Sequence, residues 1–518
     1  MISFYKKINF LFFVSIFLVA TACTTTKTAT NKSPKTDDKI DIAFLQINDV
    51  YEISPLEGGK VGGLARIATL RKQLVKENAN TTTIMAGDFF NPSVIGTLKY
   101  EGKKISGKQM IEVLNEMGLQ YAAFGNHEFD IKENEVEERL NESRFEYISG
   151  NVMHQKGDII KPFEQKGKPI AAYKILTFTD ADGTSVRVGI IAETIPMNKQ
   201  PFVWYGDERD TYKATYNLLK DSTDFMVAIT HLNVADDLAL AKLVPQIPLI
   251  MGGHDHNHQL HKTDGGVTVA KADANAKTAY IHRISFDKRT KKASITSTLV
   301  NIDEKIAEDA ATKAIADKWE AIAQKSFMDL GFNPKGLVYT TKEPLDGREQ
   351  IVRSQPALLP QLIAKSMLAA SPNMDCAFFN GGSIRIDDIL QGAVNEYDII
   401  RTLPYGGNIV NVEIRGSLLR KILNIGTNQN KGTGDYLQYA GINLEKKDWT
   451  INGAKLDETK LYKVATNDYT MSGKLKNLDF IKDGTDGIGK IQTFANDKTD
   501  LRRDLRLAFI DYLRGLKN

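Results

Sequence analysis

The sequence predicts a two-domain α/β protein whose first domain is a sandwich of sheets flanked by helices. The chain has 518 residues, 42% of them hydrophobic and 25% charged, which is enough for two or three hydrophobic cores. Short apolar runs recur with helical spacers between them, and this alternation indicates strands that alternate with helices. The runs lie at 42–47, 83–86, 121–124, 147–149, 186–191, 226–229 and 247–251.

The remaining elements follow in chain order. Residues 266–302 alternate differently, with β-branched residues and a basic turn, and predict antiparallel hairpins that close a second sheet. Ala311, Ile315 and Trp319 have helical spacing and predict a helix that connects the two domains. A second, smaller mixed α/β region follows, and we expect it to end in a helix over residues 499–516.

The first residues have the order of a secretory leader. Lys6 and Lys7 precede an apolar run at 8–20, which is too short to cross a bilayer. Small residues and Cys23 follow, and this pattern resembles a bacterial lipobox. The resemblance implies lipidation at Cys23 and export to the cell envelope, with the outer membrane favoured because Thr24 is not an aspartate. The alternative is an ordinary leader with an incidental cysteine.

These signals divide the chain into five segments. We predict a signal peptide at 1–22, a flexible tether rich in Thr, Lys and Ser at 23–40, a first domain at 41–302, a connecting helix at 303–334 and a second domain at 335–518.

Charge and cysteine content narrow the function. The formal charge is +3, from 67 basic and 64 acidic residues, and it does not favour a nucleic-acid polymer as partner. Only Cys376 remains after Cys23, so the mature chain has no intramolecular disulfide, and we expect Cys376 to be a small buried hydrophobe. The sequence identifies no protein partner.

Five predicted strands of the first domain end in residue types that bind metals. In α/β folds the carboxyl ends of strands meet at one edge, so these side chains should converge in one crevice. Carboxylate, amide oxygen and imidazole together suit borderline divalent metals such as zinc, manganese or iron(II). The strand ends carry Asn48, Asp49, Asp88, Asn126, His127, Glu128, His231, His254, Asp255 and His256.

This chemistry suits the hydrolysis of a phosphate ester. Two metals that share a carboxylate can clamp a phosphate and lower the pKa of a water molecule to near neutrality. His127 directly follows a candidate ligand, so it can protonate or stabilise the leaving oxygen, and Asp130 is placed to orient the imidazole ring.

The motifs resemble two known domain families. Segments 87–88, 125–128, 230–231 and 253–256 are similar to the calcineurin-like metallophosphoesterase signature. Segments 380–385 and 403–406 resemble the C-terminal domain of 5′-nucleotidases, and the similarity covers nearly everything from about residue 41. The resemblance implies a layered αββα sandwich followed by a smaller mixed α/β substrate-binding domain.

The resemblance also implies two donor sets for two divalent metal ions, chosen from zinc, manganese, cobalt and iron. The first donor set is Asp49, Tyr51, Asp88 and His256, and the second donor set is Asp88, Asn126, His231 and His254. Tyr51 departs from the family, which has a histidine there. Three interpretations stay open: Tyr51 or water completes the first site, the first metal binds weakly, or a phenolate favours a harder metal such as iron(III).

Substrate contacts are implied for the second domain. Arg353 and Arg385 would contact phosphate, and Tyr405 and Tyr469 would sandwich a base. The family's Gly-Gly-Asp-Gly run, whose aspartate binds the ribose hydroxyls, is absent: the chain has Ser-Gly-Lys-Leu-Lys at 472–476. This departure puts nucleotide preference in doubt.

The sequence therefore predicts a metal-dependent phosphohydrolase that releases phosphate from nucleoside 5′-monophosphates or similar nucleotides. By resemblance, rotation about the connecting helix would carry the substrate to the metals. The alternatives are a cyclic-nucleotide phosphodiesterase or nucleotide-sugar hydrolase on the same scaffold, and a nucleotide-binding lipoprotein without catalysis.

Overall fold

The structure is a computed structural model that describes residues 38–197, 199–386, 388–445, 448–493, 497 and 499–516. Two six-stranded sheets form the first domain. The first sheet has, in spatial order, the strands Lys292–Asn301, Thr278–Asp287, Lys39–Ile47, Thr81–Ala86, Tyr121–Ala123 and Glu146–Ile148. The second has Tyr173–Thr179, Ser185–Thr194, Phe225–His231, Leu249–Gly252, Thr268–Lys271 and Gln259–Lys262.

The sheets stack face to face because their strands are apolar on both sides. In Lys39–Ile47, Ile42 and Phe44 enter the core between the sheets, whereas Leu45 and Ile47 face the helix layer on the other side. Helices cover both outer faces, as the αββα prediction requires. Leu64–Glu77, Lys108–Met117 and Glu133–Glu142 lie on the first sheet, and Glu208–Leu219 and Val234–Leu243 lie on the second.

The prediction that residues 266–302 close a second sheet is wrong for most of that segment. Thr278–Asp287 and Lys292–Asn301 form an antiparallel hairpin, but it joins the first sheet by pairing with Lys39–Ile47. Ile281 and Ile284 are buried on opposite faces of the sheet, so Thr278–Asp287 has the pattern of an inner strand that needs neighbours on both sides.

The connecting helix is shorter than predicted. It spans Ala310–Asp329 and begins after Asp309, whose side chain accepts a hydrogen bond from Thr312 N at 3.1 Å. Trp319 is fully buried, and its Nε1 donates to Glu112 Oε2 at 2.9 Å, which fixes the helix to Lys108–Met117 of the first domain. The domain boundaries given above stay predictions.

A five-stranded sheet organises the second domain, and Cys376 is buried in it as expected. The predicted C-terminal helix begins only at Leu505, because Asp504 accepts a hydrogen bond from Arg506 N at 2.9 Å. In spatial order the strands are Leu437–Ala440, Cys376–Asn380, Leu461–Asn467, Ile409–Arg415 and Ile488–Gln492. The helices are Glu349–Val352, Leu358–Ala370, Glu396–Thr402, Gly416–Asn424 and Leu505–Gly515.

Ion pairs join the two domains beside the metal-binding edge. Arg401 Nε lies 3.3 Å from Glu52 Oε1, and the Tyr397 hydroxyl donates to Glu52 Oε2 at 2.9 Å. Lys277 Nζ lies 2.5 Å from Asp388 Oδ1. The second domain is therefore held directly over the carboxyl ends of the first domain's strands.

The predicted leader and the lipidation site Cys23 lie outside the described residues. Among the residues that the structure does describe, none of the helices has the length and apolarity needed to span a bilayer.

Candidate active site

The six predicted metal ligands meet at one edge of the sandwich. Each lies at or just after the carboxyl end of a strand in one of the two sheets, and all of them are buried or nearly so. One carboxylate oxygen each of Asp49 and Asp88 and a ring nitrogen of His256 lie within 4.8 Å of one another, close enough to share an ion. The convergence predicted from the strand ends is thus present in the structure.

Tight turns bring these strand ends together. Asp49 and Asp88 have φ of 53° and 58°, so the backbone adopts the left-handed conformation directly after each of these strands. A Cβ on Gly125 would lie 2.0 Å from Asp88 Oδ1, so only glycine allows the loop before Asn126 to approach this carboxylate. The glycine that precedes Asn126 therefore sets the spacing between two ligands.

Glu128 joins two of the ligand-bearing loops. Its Oε2 accepts a hydrogen bond from Asp88 N at 2.9 Å, and its Oε1 accepts from Phe89 N at 2.6 Å. Burial and then the charge of Asp88 raise its pKa to about 7. The sequence placed Glu128 in a motif but gave it no role, and the structure shows that it positions Asp88.

Asp88 occupies the centre of the site. Its Oδ1 accepts a hydrogen bond from His127 N at 2.8 Å, and its Oδ2 lies 3.1 Å from His231 Nε2. Burial disfavours its charged form, but the charges of His231 and His127 outweigh burial and hold its pKa well below the usual range. An ionised carboxylate between both donor sets is the group that two cations can share.

Tyr51 lies where the first donor set needs a ligand. Its hydroxyl donates to Asp88 Oδ2 at 3.2 Å and lies 3.0 Å from His256 Nε2. Burial and then the carboxylates of Asp88 and Asp49 raise its pKa well above the usual value of 10. Asn275, which the sequence did not single out, accepts a hydrogen bond from Tyr51 N at 3.0 Å and fixes this residue.

The second donor set has the features of a metal site. His231 Nδ1 lies 2.8 Å from the Ala86 carbonyl oxygen, an arrangement that directs Nε2 toward Asp88. Asn126 Oδ1 is buried and has no hydrogen-bond partner among the described residues. A cation can bind such a buried oxygen atom in place of a hydrogen-bond donor. The ligand atoms of this set therefore fit a divalent metal.

Protonation in this set opposes metal binding at one histidine only. Burial disfavours charge on His231, but Asp88 and Asp49 outweigh burial and raise its pKa to about 10. Burial and then the charge of His231 lower the pKa of His254 to about 4, so its ring is neutral. Metal binding at His231 therefore releases a proton, whereas at His254 it does not.

The predicted pair of His127 and Asp130 is formed. His127 Nδ1 lies 2.6 Å from Asp130 Oδ2, which also accepts a hydrogen bond from Asn91 Nδ2 at 3.2 Å. Burial opposes protonation of His127, but Asp88 and Asp130 outweigh it and raise its pKa to about 9. A protonated imidazole with a fixed ring is suited to donate a proton to a leaving oxygen.

A buried lysine that sequence reasoning missed supports the histidine loops. Lys271 is 1% exposed, and its Nζ donates to the carbonyl oxygens of Leu232 at 2.5 Å and Gly253 at 2.7 Å. These residues directly follow His231 and precede His254. Asp237 Oδ2, at 2.8 Å, and Asp255 Oδ2, at 2.5 Å, balance the charge. In the sequence, Lys271 is an ordinary polar residue at a strand end, with no signal of this role.

Arginines of the second domain face the metal ligands across one cavity of about 810 Å³. Arg353 and Arg385 line it together with Asp88, Asn126 and His127. The Nε atoms of both arginines are buried without a hydrogen-bond partner among the described residues. Two guanidinium groups with donors to spare make this wall an anion site.

Glu349 lies between the two arginines and was not predicted as a site residue. It pairs with Arg353, and its Oε1 lies 3.7 Å from Arg385 Nη1. Burial opposes its ionisation, but the charges of Arg353 and Arg385 outweigh burial and lower its pKa. An anionic substrate therefore meets arginines that already carry one negative partner.

The two predicted aromatic residues lie next to the arginines. Tyr405 and Tyr469 are 56% and 45% exposed, unusual values for such large rings in a cleft. Arg385 Cζ lies 5.8 Å from the centre of the Tyr405 ring. The structure thus places the two arginines in the wall of the cavity, with Tyr405 beside Arg385.

A second carboxylate–imidazole group lies away from this cleft. Glu133, Glu137 and His154 offer ligand atoms within 4.8 Å of one another. Lys156 Nζ is 3.0 Å from Glu137 and 3.6 Å from Glu133, so one ammonium group pairs with both carboxylates of the cluster. This group is explained as an ion-pair network.

Comparison with known families gives two matches along the chain. Residues 42–258 match the calcineurin-like phosphoesterase family, and residues 337–482 match the 5′-nucleotidase C-terminal domain. The chain is 26% identical over 450 residues to a 5′-nucleotidase of Bos taurus, an alignment that covers 78% of this chain and 75% of that protein.

A bacterial relative and a solved structure agree with these matches. The chain is 26% identical over 502 residues to the trifunctional nucleotide phosphoesterase protein YfkN of Bacillus subtilis, which covers 86% of this chain but only 32% of that protein. The crystal structure of a 5′-nucleotidase precursor from Thermus thermophilus has the same fold, with a TM-score of 0.67, 22% identity and coverage of 92% and 97% of the two chains. The chain therefore combines a calcineurin-like phosphoesterase domain with a 5′-nucleotidase C-terminal domain, and it is a metal-dependent phosphoester hydrolase.

Proposed function

We propose that the chain releases phosphate from nucleoside 5′-monophosphates at a centre of two divalent metal ions. The observation that carries this proposal is the shared cavity, in which the metal ligands form one wall and Arg353 and Arg385 form the other. A phosphate between these walls meets cationic groups on both sides. The exposed rings of Tyr405 and Tyr469 provide apolar surface for the base beside it.

The two donor sets would hold the ions, with Asp88 shared between them. When bound, two divalent cations at these donors neutralise the phosphate and lower the pKa of a water molecule toward neutrality. Two observations support the second position: Asn126 Oδ1 is buried without a hydrogen-bond partner among the described residues, and His231 Nε2 lies 3.1 Å from Asp88 Oδ2. Metal identity among zinc, manganese, cobalt and iron is left to the experiment below.

The chain's own residues account for the other steps. Asp130 holds the proton on His127 Nδ1, so Nε2 is the nitrogen that exchanges a proton with the leaving oxygen of the substrate. Arg353 and Arg385 orient the phosphate with their planar guanidinium groups. Closure of the second domain over the metal ligands restricts water in the cavity.

Phosphate release by the chain from Thr24, stripped of metal and then supplied with one divalent metal at a time, tests the proposal. We expect metal-dependent release from AMP, and a fall of roughly 10²- to 10⁴-fold in His127→Ala. His261→Ala, on a strand outside the cavity, is the matched control and should keep full activity. Parallel assays with cyclic nucleotides and nucleotide sugars test the alternative substrates, and turnover of those without AMP would reject the monophosphate assignment. Binding of AMP without turnover of any substrate would favour the non-catalytic alternative.

We further propose that Cys23 anchors the mature chain to a membrane of the cell envelope. The support is the basic start, the apolar run at 8–20 and the small residues before Cys23. Labelled fatty acid supplied to expressing cells should enter the wild-type chain but not Cys23→Ser. Equal labelling of both chains would reject the anchor.

A further inference from the structure

A loop of the second domain, residues 430–435, lies against both arginine-bearing segments of the cleft. Gly432 N donates to the carbonyl oxygen of Arg353 at 2.7 Å, and Gly382 N donates to the carbonyl oxygen of Gly434 at 2.7 Å. Gly432 and Gly434 line the same cavity as the arginines. The next residue is Asp435, whose side chain therefore extends from a loop fixed beside the phosphate-binding wall.

The other side of this loop is bound to residues 472–477. Lys476 N donates to Asp435 Oδ2 at 3.2 Å, and Asn430 Nδ2 donates to the carbonyl oxygen of Lys476 at 2.9 Å. Asn477 Nδ2 completes the contact by donating to Asn430 Oδ1 at 2.9 Å. The Asp435 carboxylate thus lies directly beside the segment that lacks a carboxylate of its own.

Asp435 interacts electrostatically with an arginine and with a tyrosine of the cleft. Burial and then the charge of Asp435 raise the pKa of Tyr469. Partial burial raises the pKa of Asp435 itself, while Lys476 and Arg353 act against that rise. The Asp435 carboxylate is therefore near enough to both Arg353 and Tyr469 for their charges to interact.

A nucleotide has its sugar between its phosphate and its base. With phosphate at Arg353 and the base at Tyr469, the sugar comes near the loop that carries Asp435, because this loop is bonded to Arg353 and to the segment that follows Tyr469. A carboxylate accepts hydrogen bonds from both hydroxyls of a vicinal diol, and such charge-assisted bonds are among the stronger ones in proteins. Lys476 N fixes the carboxylate in place, so little ordering is needed when the diol binds.

We propose that Asp435 binds the 2′- and 3′-hydroxyls of the substrate ribose and makes the enzyme selective for ribonucleotides. This inference rests on the proposed function, because it assumes that nucleotides occupy the cleft. It assigns the ribose contact to a loop about 40 residues upstream of the segment in which the family resemblance predicts it.

The test compares Asp435→Asn, Asp435→Ala and wild type on AMP, 2′,3′-dideoxy-AMP and p-nitrophenyl phosphate. We expect wild type to prefer AMP over the dideoxy analogue by about 10- to 100-fold in kcat/KM, and both variants to lose that preference. Activity on the dideoxy analogue and on p-nitrophenyl phosphate should change less than about threefold. Asp479→Asn, an exposed carboxylate of the same domain, is the control and should keep the preference.

Equal losses on all three substrates, or an unchanged preference in the variants, would overturn the role of Asp435. A second measurement separates this outcome from failure of the proposed function. Equilibrium binding of adenosine and 2′,3′-dideoxyadenosine to the metal-loaded chain needs no turnover. If the chain does not hydrolyse AMP, an affinity difference that disappears in Asp435→Asn still supports the ribose contact, and equal binding of the two nucleosides rejects it.

Discussion

The two donor sets share Asp88 but differ in how their remaining members are held. In the second set, Asn126 Oδ1 has no hydrogen-bond partner among the described residues, and Lys271 and the Ala86 carbonyl oxygen fix the histidines from outside. In the first set, the Tyr51 hydroxyl already has two partners within the set, Asp88 and His256. A ligand must give up such contacts to bind a cation. The comparison indicates that the second set binds its metal more tightly than the first.

The largest effect should follow removal of the shared ligand. Asp88→Asn replaces a carboxylate that serves both sets with a neutral amide, so we expect both metals to be lost and phosphate release to fall at least about 10³-fold. Metal content by mass spectrometry and steady-state rates measure this. Asp130→Asn is the control, with reduced turnover but unchanged metal content. Retention of one metal in Asp88→Asn would show that the sets are independent.

Lys271→Met should weaken the second set and leave the first largely intact. The substitution leaves Asp237 buried without its cation and frees the loops that carry His231 and His254. We expect a loss of about 3–5 kcal/mol in the free energy of unfolding, measured by urea titration. The double variant Lys271→Met/Asp237→Leu removes the fully buried carboxylate and leaves only the partly exposed Asp255 without its cation, and we expect it to recover most of the stability but not metal affinity. Recovery of both stability and metal affinity would show that Lys271 only balances the charge of Asp237 and does not position the histidine ligands.

Tyr51→His should strengthen the first set. A neutral imidazole is a better ligand for borderline divalent metals than a protonated phenol. We expect the affinity for the weaker metal to rise about 10-fold, measured by competition with a metal chelator. Tyr51→Phe distinguishes the open interpretations of this residue. Unchanged affinity in Tyr51→Phe indicates that water completes the site, and a large loss identifies Tyr51 itself as the ligand.

The smallest expected effect is a change in the pH dependence of the free energy of unfolding. It arises at Glu320, a residue near the domain interface and not one of the metal ligands. Burial and then the charge of Glu52 raise the pKa of Glu320 to about 7 from its ordinary 4.5. Because this carboxyl binds its proton more tightly in the folded state, its contribution to stability is present below pH 4.5 and is lost as pH rises through 7. We expect Glu320→Gln to exceed wild type by about 1–2 kcal/mol at about pH 8 in the free energy of unfolding.

This advantage should disappear as pH falls toward the ordinary pKa of 4.5. Urea titrations at several pH values measure it, with the exposed Glu304→Gln as control. An advantage that does not vary with pH would reject the assignment to Glu320.

The sequence was sufficient to predict the features that recur along the chain, namely the strands of the first domain and the polar residues at their ends. Residues at the ends of regular strands were identified as candidate ligands because two properties, both visible in the sequence, are enough: the residue follows a strand, and its side chain is polar. Glu128, Lys271 and Glu349 were not assigned roles because their partners lie in other loops, and neither spacing nor composition indicates those contacts. The hairpin of Thr278–Asp287 and Lys292–Asn301 was placed in the wrong sheet. The alternation of apolar and polar residues shows which faces of a strand are buried but not which strand is its neighbour.

The ion pairs between Glu52 and Arg401 and between Lys277 and Asp388 close the cavity on the side where the domains meet. We expect substrate and product to exchange when these two walls separate. Product release would then depend on a motion of the domains. We expect turnover to slow as solvent viscosity rises and to be insensitive to the basicity of the leaving group. The separation of the two domains, and not the hydrolysis step, would then limit the rate of turnover.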